Sequence, residues 1–219
     1  MSSDVLFEFD KGFKNIIIGT DEAGRGPAAG GVYAAAVYFP EVSKEIIKDL
    51  NKLNDSKKLS KKAREELFDV IKNNTINEII CVEVEEIERI NILNSSLKAM
   101  NMACQSVINR IENKEKILVL VDGNRKIKEF PYNQTTVVKG DSKSASIAAA
   151  SILAKVSRDR YMDKLAEEFP YYLWNKNAGY LTKQHIEAID KYGLTKYHRP
   201  SFLRKHFGLG VNGKTKTII

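Results

Sequence analysis

Four acidic residues stand at the ends of apolar runs in this 219-residue chain. Asp21 and Glu22 follow the run IIIGT, Asp122 follows ILVLV, and Asp141 follows TTVVKG. Such apolar runs are typical of buried strands, and the carboxyl ends of neighbouring strands form the functional crevice of an open α/β sheet. We therefore expect the four carboxylates to meet at one edge of a sheet.

Clustered carboxylates of this kind predict a metal site. They repel one another and raise each other's pKa unless a cation lies between them, and Mg²⁺ or Mn²⁺ suits a site made only of oxygen ligands. Two such ions about 4 Å apart can activate a water on one side of a phosphodiester and stabilise the leaving oxygen on the other. The chain has no His-rich or Cys-rich ligand set, which argues against zinc. We expect Mg²⁺ or Mn²⁺, with two ions present when substrate is bound.

Each acid also has an ordinary structural interpretation. Asp122 with Gly123 could form a turn, Asp141 could be the N-cap of the next helix, and Asp21 and Glu22 could be solvated loop charges. Taken one at a time, these interpretations are the more common ones. Their joint position after strands of one predicted sheet favours the functional interpretation.

A tight turn of Gly24, Arg25 and Gly26 follows the first acid pair. Glycine permits backbone angles that other residues avoid, and it lets a ligand approach the main chain closely. Arg25 offers a planar set of donors that suits phosphate, although an exposed arginine in a turn is the alternative. The turn therefore predicts a phosphate-bearing ligand beside the acids.

The elements that position these residues predict a mixed α/β sheet with helices on both faces. Strands are predicted over KNIIIGTDE, GGVYAAAVYFP, KILVLVDGN and TTVVKGD, and over INEIICVEVEE, where Val82 and Val84 alternate with Glu83 and Glu85. Alternation of that kind is typical of a half-buried antiparallel strand.

Helices are predicted after Ser60, which is a suitable N-cap, along the apolar stripe from Leu93 to Ile111, and along the Ala- and Ser-rich segment after TTVVKGD. Beyond Pro170 the composition becomes aromatic and basic. We expect residues 1–168 to form the main domain and residues 169–219 a small helical lobe packed on it.

Composition narrows the class of protein. A net charge of +7 and a pI near 9.2 favour an anionic partner, nucleic acid above all. Cys81 and Cys104 match no metal or redox spacing, so both are expected to fill the core. His185, His198 and His206 all lie in the C-terminal part and are expected to be structural. No signal-peptide pattern or membrane-spanning apolar run is present, so we expect a soluble cytoplasmic protein.

Several motifs, in order along nearly the whole chain, resemble the type 2 ribonuclease H family, ribonuclease HII. They are GTDEAGRGP, NDSKKLS, INILNSSLKAM, VDGN, KGDSKSASIAAASILAKVSRDR, AGYLTKQH and YGLTKYHRPSF. The combination of DEAGRGP with the long IAAASILAKVSRD segment is specific to that family, whereas an Asp-Glu pair alone is not.

The resemblance implies a ribonuclease H-like mixed sheet flanked by helices, with a small helical C-terminal lobe. It implies an endonuclease that cleaves the RNA strand of RNA–DNA hybrids and nicks duplex DNA 5′ to an embedded ribonucleotide, leaving 3′-hydroxyl and 5′-phosphate ends. The family's four acidic positions fall on Asp21, Glu22, Asp122 and Asp141, the same residues that the strand ends select.

The resemblance also assigns substrate contacts. It implies that Gly24, Arg25 and Gly26 read the ribose 2′-hydroxyl mainly through main-chain groups. Tyr180, in AGYLTKQH, matches the tyrosine that packs on the sugar of the nucleotide after the ribonucleotide. Without the family, Tyr180 would be interpreted as an aromatic residue of the core or of the lobe.

Four basic residues lie within the matching motifs. We expect Lys57 and Lys143 to contact phosphates, and for Lys155 and Arg158 the alternative of solvated charges on the outer face of a helix stays open. The C-terminal GVNGKTKTII contains no clear sliding-clamp peptide. The expected partners are therefore the hybrid and the ribonucleotide-containing duplex, with the protein a monomer and no membrane involved.

Two other classes of protein fit the sequence less well. ATP-handling proteins of the actin and sugar-kinase superfamily also have a Gly-x-Asp strand end, but they duplicate the domain and need about twice this length. A nucleic-acid binding protein without catalysis would not need four carboxylates, which repel phosphates and weaken binding. The enzyme is favoured over both.

Overall fold

A computed structural model describes residues 3–51, 53 and 59–207 of the chain. Its strands are β1 (Ile16–Ala23), β2 (Val32–Tyr38), β3 (Ile76–Val82), β4 (Ile117–Asp122) and β5 (Gln134–Val137). Its helices are α1 (Ser3–Lys11), α2 (Lys44–Asp49), α3 (Lys61–Asn74), α4 (Val84–Ile90), α5 (Ile92–Asn109), α6 (Ala145–Glu168), α7 (Trp174–Asn177), α8 (Lys183–Tyr192) and α9 (Pro200–Phe207).

The strands form one mixed sheet in the order β3-β2-β1-β4-β5. β1 and β2, like β2 and β3, run antiparallel, whereas β1, β4 and β5 run parallel to one another. The parallel strands therefore end at the same edge of the sheet. The predicted mixed sheet with flanking helices is confirmed.

Helices cover both faces of the sheet because its central strands are apolar on both sides. In β2, Ala34 and Ala36 pack with α5, while Ala35 and Val37 face the side covered by α6. α6 lies very close to β1: a Cβ built on Gly19 would be 2.1 Å from the main-chain carbon of Ser146. Small residues in α6 and the glycine in β1 therefore bring this helix, which begins beside the acids, directly against the sheet.

The predicted strand over INEIICVEVEE is correct only as far as Val82. Glu83 is the N-cap of α4, which follows with Val84 and Ile87 buried on one face. An alternation over four residues fits a strand, but Val84 and Ile87 are also three apart, the spacing of a helix face. Glu85 and Glu86 in the first turn favour the helix because negative charge there interacts favourably with the helix dipole.

The predictions for the helix after Ser60 and for Cys104 agree with the structure, and that for Cys81 agrees in part. Ser60 caps α3 by accepting a hydrogen bond from the N–H of Ala63, and Cys104 is buried on α5 while Cys81 lies half-buried in β3. β1 continues past the run IIIGT as far as Ala23, so Asp21 and Glu22 lie inside the end of the strand.

Short helices follow α6 and pack around aromatic residues. Tyr172 and Trp174 stack with ring centroids 4.9 Å apart, and both are buried. Met162 and Leu165 of α6 belong to the same apolar cluster, so this lobe, built by α7, α8 and α9, shares a core with the long helix. Among the described helices, none is long and apolar enough to cross a membrane.

Candidate active site

The carboxyl ends of β1 and β4 bring the acids together. Thr20 of β1 pairs with Val121 of β4, so Asp21 and Asp122 are the next residues of two adjacent parallel strands. A cavity of about 410 Å³ opens there. Its lining residues come from strand ends, the glycine turn, α6 and the lobe: Asp21, Glu22, Ala23, Gly24, Arg25, Gly26, Asp122, Asp141, Ser151, Lys155, Arg158 and Tyr180. The four acids expected at one sheet edge thus line one cavity.

Asp21 is deeply buried, with 6 % of its surface exposed. Burial raises its pKa well above the usual range, and the negative charges of Glu22 and Asp122 raise it further. Hydrogen bonds from the Ser151 side chain and from the N–H of Glu22 oppose this rise. The site thus holds a carboxylate whose charge is unfavourable unless a cation is added.

Asp122 and Asp141 are positioned by one short turn. The N–H of Gly140 donates to Asp122 Oδ1 at 2.7 Å, and Asp141 lies in the 3₁₀ turn Gly140–Ser142. Ser144, not Asp141, caps α6, through a hydrogen bond from the N–H of Ile147. The alternative interpretation of Asp141 as an N-cap of that helix is therefore wrong, and Asp141 lines the cavity.

The glycine turn is shaped by its neighbours. Gly24 has φ of +99°, and a Cβ there would be 2.2 Å from Nε of Arg158. A Cβ on Gly26 would be 3.1 Å from Cε1 of Tyr180. The Arg25 guanidinium contacts Glu22 Oε1 at 3.2 Å and is half exposed. The turn therefore leaves room for Arg158 behind it and for the Tyr180 ring beside it.

Tyr180 is exposed at the rim of the cavity and is held by a buried histidine pair. The main-chain carbonyl of Tyr180 lies 2.9 Å from Nδ1 of His185. Nε2 of His185 accepts from the Trp174 indole at 3.0 Å and lies 3.2 Å from Nε2 of His198. Both histidines are buried, in agreement with the structural role expected for them, whereas the side chain of His206 lies outside the described residues.

The basic residues behave differently from one another. Lys155 lines the cavity and forms an ion pair with Asp159. Arg158 also lines the cavity, but it is 2 % exposed and donates to main-chain carbonyls, so the alternative of a solvated charge is wrong for this residue. Lys143 is exposed and is not among the residues that line the cavity. Lys57 lies outside the described residues.

The donor set fits a divalent ion. Within residues 3–51, 53 and 59–207, no group of three or more His, Cys, Asp or Glu side chains is arranged as a ready metal site. Burial raises the pKa of Asp21 most, and the like charges of Glu22 and Asp122 raise it further. An all-oxygen cluster under such repulsion suits Mg²⁺ or Mn²⁺.

Two contributors to the site carry no signal in the sequence. Ser151 is a buried hydroxyl on α6 that hydrogen-bonds Asp21, and nothing in the Ala- and Ser-rich segment separates it from its neighbours. Arg199 is fully buried and contacts carbonyls of the loop after the glycine turn. A basic residue in an aromatic segment predicts neither burial nor that partner.

Three known proteins are similar to this chain in sequence or in fold. The ribonuclease HII of Fusobacterium nucleatum is 50% identical over 91% of this chain and 91% of its own. The ribonuclease HII in the PCNA:RNase HII complex from Archaeoglobus fulgidus has 25% identity and a TM-score of 0.67, covering 84% of this chain and 93% of that one. Bst-RNase HIII in complex with Mn²⁺ shares the fold, with 20% identity and a TM-score of 0.63 over 81% of this chain and 62% of that one.

The fold and the family match are those of a ribonuclease H-type nuclease, an enzyme of the hydrolase class. The family model for ribonuclease HII matches residues 18–209, from β1 through the last described helix. The chain therefore belongs to the ribonuclease HII family, a family of endoribonucleases that act on RNA–DNA hybrids.

Proposed function

We propose that this protein cleaves the RNA strand of RNA–DNA hybrids and nicks duplex DNA 5′ to embedded ribonucleotides, leaving 3′-hydroxyl and 5′-phosphate ends. The observation that carries the proposal is the cavity lined by all four acids, the glycine turn and Tyr180. A site for cutting beside a ribose needs metal-binding carboxylates and a ribose-reading surface within one nucleotide of each other. This cavity supplies both on one rim.

The acids have distinct roles in this proposal. Asp21 and Asp122, which end adjacent parallel strands, anchor the metal ions, and Glu22 and Asp141 complete the ligand set. When bound, two divalent ions would supply an activated water and stabilise charge on the scissile phosphate. Positioning and electrostatic stabilisation, without a protein nucleophile, then provide most of the rate.

Ribose is selected beside the acids. The main chain of Gly24, Arg25 and Gly26 reads the 2′-hydroxyl, the group that distinguishes RNA from DNA. The exposed ring of Tyr180 packs on the sugar of the following nucleotide. The Tyr180 ring lies near Gly26. When the sugar of the following nucleotide packs on this ring, the sugar of the ribonucleotide before it therefore lies against the glycine turn.

Basic residues bind the phosphates around the cut. We assign that role to Lys57 and Lys143, and Lys155 is a further cation on the cavity wall. The protein acts as a monomer in the cytoplasm, without a sliding-clamp peptide in GVNGKTKTII, a segment outside the described residues. The clamp complex of the Archaeoglobus fulgidus relative makes that last point worth testing by a direct binding measurement.

One gel tests the proposed function. A DNA duplex with a single ribonucleotide, a continuous RNA–DNA hybrid and an all-DNA duplex are each incubated with the protein and Mg²⁺ or Mn²⁺, with EDTA as control. We expect cuts in the first two substrates only, a cut 5′ to the ribonucleotide, and a product end that ligase accepts as 5′-phosphate. Intact ribonucleotide-containing strands in both metals would refute the proposal.

A further inference from the structure

Two arginines are buried behind the glycine turn. Arg158 of α6 is 2 % exposed and Arg199, just before α9, is fully buried. In the described part of the chain, neither forms an ion pair. Burial lowers the pKa of Arg199 to about 9 and also lowers that of Arg158. A buried charge is unfavourable unless hydrogen bonds offset the lost hydration, so the partners of these two guanidinium groups are informative.

The hydrogen-bond partners of Arg158 are main-chain carbonyls. Its Nη2 donates to Ala29 at 3.1 Å, its Nη1 donates to Ala178 at 3.0 Å, and its Nε contacts the Gly31 carbonyl at 3.4 Å. Ala29 and Gly31 belong to the loop after the glycine turn, and Ala178 lies two residues before Tyr180. One guanidinium therefore joins the loop to the segment that carries the tyrosine.

Arg199 holds the same loop from the lobe. Its Nε donates to the Gly30 carbonyl at 2.8 Å and its Nη1 donates to the Pro27 carbonyl at 2.9 Å. The same Nη1 makes a longer contact of 3.5 Å with the carbonyl of Arg25. Together the two arginines reach five carbonyls between residues 25 and 31.

This arrangement orients the N–H of Gly26. In a planar trans peptide, the carbonyl of one residue and the N–H of the next point in opposite directions. With the Arg25 carbonyl facing Arg199, the N–H of Gly26 points away from the guanidinium. Gly26 lines the cavity. By holding the carbonyls on the side away from the cavity, the arginines therefore determine which main-chain groups face the cavity.

Main-chain hydrogen bonds complete the connection between loop and lobe. The N–H of Ala28 donates to the Gly179 carbonyl at 2.9 Å, and the N–H of Arg199 donates to the Ala28 carbonyl at 2.7 Å. Ala29 also bridges to His198. The loop and the lobe thus form one hydrogen-bonded unit, and the distance between the turn and Tyr180 depends on it.

We propose that Arg158 and Arg199 are positioning residues that hold the 24–31 loop and the Tyr180 segment in the geometry that recognises a single ribose. In this proposal both arginines act on the substrate through the main chain of the loop, although Arg158 also lines the cavity. This inference rests on the proposed function and adds to it the residues that set the ribose-reading geometry. It predicts that their loss affects the choice between substrates and not only the stability of the fold.

The test uses Arg158→Lys and Arg199→Lys, which retain the charge but cannot reach the same set of carbonyls. The matched control is Arg110→Lys, because Arg110 also donates to a main-chain carbonyl, that of Asn77 at 2.7 Å, in the outer strand β3. Initial rates and their kcat and KM components are measured on a duplex with one ribonucleotide and on a continuous hybrid, at a temperature where circular dichroism shows each variant folded.

We expect kcat/KM for the single ribonucleotide to fall about ten-fold or more in both lysine variants, the effect of about one lost charged hydrogen bond. Cleavage of the continuous hybrid should fall much less, because every register of a hybrid offers a ribose. Arg110→Lys should leave the ratio of the two rates unchanged. Equal losses on both substrates, or failure of both lysine variants to fold, would overturn the proposal in favour of a purely structural role.

Hydrogen exchange separates this inference from the proposed function. We expect faster exchange of residues 24–31 in the lysine variants, with protection of β1 and β4 unchanged. If the parent protein cuts neither substrate, the proposed function fails, and the exchange measurement still decides whether the arginines order the loop. Unchanged exchange in that loop would show that they do not.

Discussion

Replacing Asp122 with Asn removes one charge from the acidic cavity and preserves its geometry. Asp122 Oδ1 accepts the N–H of Gly140 at 2.7 Å. An asparagine Oδ1 can accept the same hydrogen bond, so the turn that carries Asp141 should keep its position. The substitution therefore isolates the effect of charge.

The expected magnitudes are opposite for stability and activity. The Asp122 charge is one of the causes that raise the pKa of the buried Asp21, after burial and after Glu22. Each pKa unit of repulsion relieved corresponds to about 1.4 kcal/mol, and we expect a gain on the order of 1 kcal/mol. For a chain of this size that raises Tm by about 2–4 °C. Cleavage should fall at least about 100-fold, as when a charge-stabilising group is removed from other active sites.

The assay compares parent and Asp122→Asn by thermal unfolding in EDTA, by unfolding with added Mg²⁺ or Mn²⁺, and by cleavage of the single-ribonucleotide duplex. We expect the variant to be the more stable protein in EDTA, to gain less from the divalent ion, and to bind the duplex without cutting it. The charge control is Glu112→Gln, because Glu112 is exposed and lies outside the cavity lining. Cleavage at the parent rate, or a variant destabilised in EDTA, would refute the reasoning.

Three further predictions concern the rim, the sheet and the lobe. Tyr180→Ala should slow cleavage at a single embedded ribonucleotide more than cleavage of a continuous hybrid in parallel time courses, and equal slowing would contradict its role at the junction. Gly19→Ala should lower the free energy of unfolding in urea by about 1–3 kcal/mol, because its Cβ would meet the main chain of Ser146 and overpack the interface; an unchanged midpoint would mean that α6 moves freely. Burial, and then the neighbouring His185, lowers the pKa of His198 from 6.5 to about 3, so between these pH values the unfolded chain binds a proton that the folded chain excludes. The stability due to neutral His198 is complete above pH 6.5 and should fall by up to about 1.4 kcal/mol per pH unit on acidification, measured by denaturant unfolding from about pH 7 to 5. His198→Gln should reduce the dependence of the unfolding free energy on pH. An equal slope in the parent and the variant would show that other groups cause the dependence.

The part of the site that is local in sequence could be predicted from the residues. Apolar runs that end in acids predict strand ends, and strand ends of a parallel pair share one edge of a sheet, so Asp21 and Asp122 follow from pattern alone. The glycine turn is also visible, because two glycines around an arginine indicate a main chain that must bend tightly. Residue roles that depend on a particular substrate, such as that of Tyr180, came only from the family resemblance.

Sequence pattern does not predict the structure where a segment fits both the strand and the helix period, or where a side chain contacts residues that are remote along the chain. The alternation of Val82 to Glu85 matches a strand over four residues. The segment nevertheless forms a helix, with Val84 and Ile87 buried on one face. Arg158 lies on a helix among other charged residues, and this sequence context is typical of a solvent-exposed position. Its burial depends on a glycine, Gly24, that is remote from it along the chain.

The sequence by itself determined the sheet, the helices that cover it and the acids that end its central strands, because hydrophobic period and turn chemistry act over a few residues. Only the tertiary structure decided that Arg158 and Arg199 face inward. Their partners are main-chain carbonyls, which every residue has, so the sequence does not indicate where they lie. The same holds for the raised pKa of Asp21, which arises from burial and from charges brought close by strand pairing. Local preference selects the elements, and long-range packing selects which of their polar groups share a site.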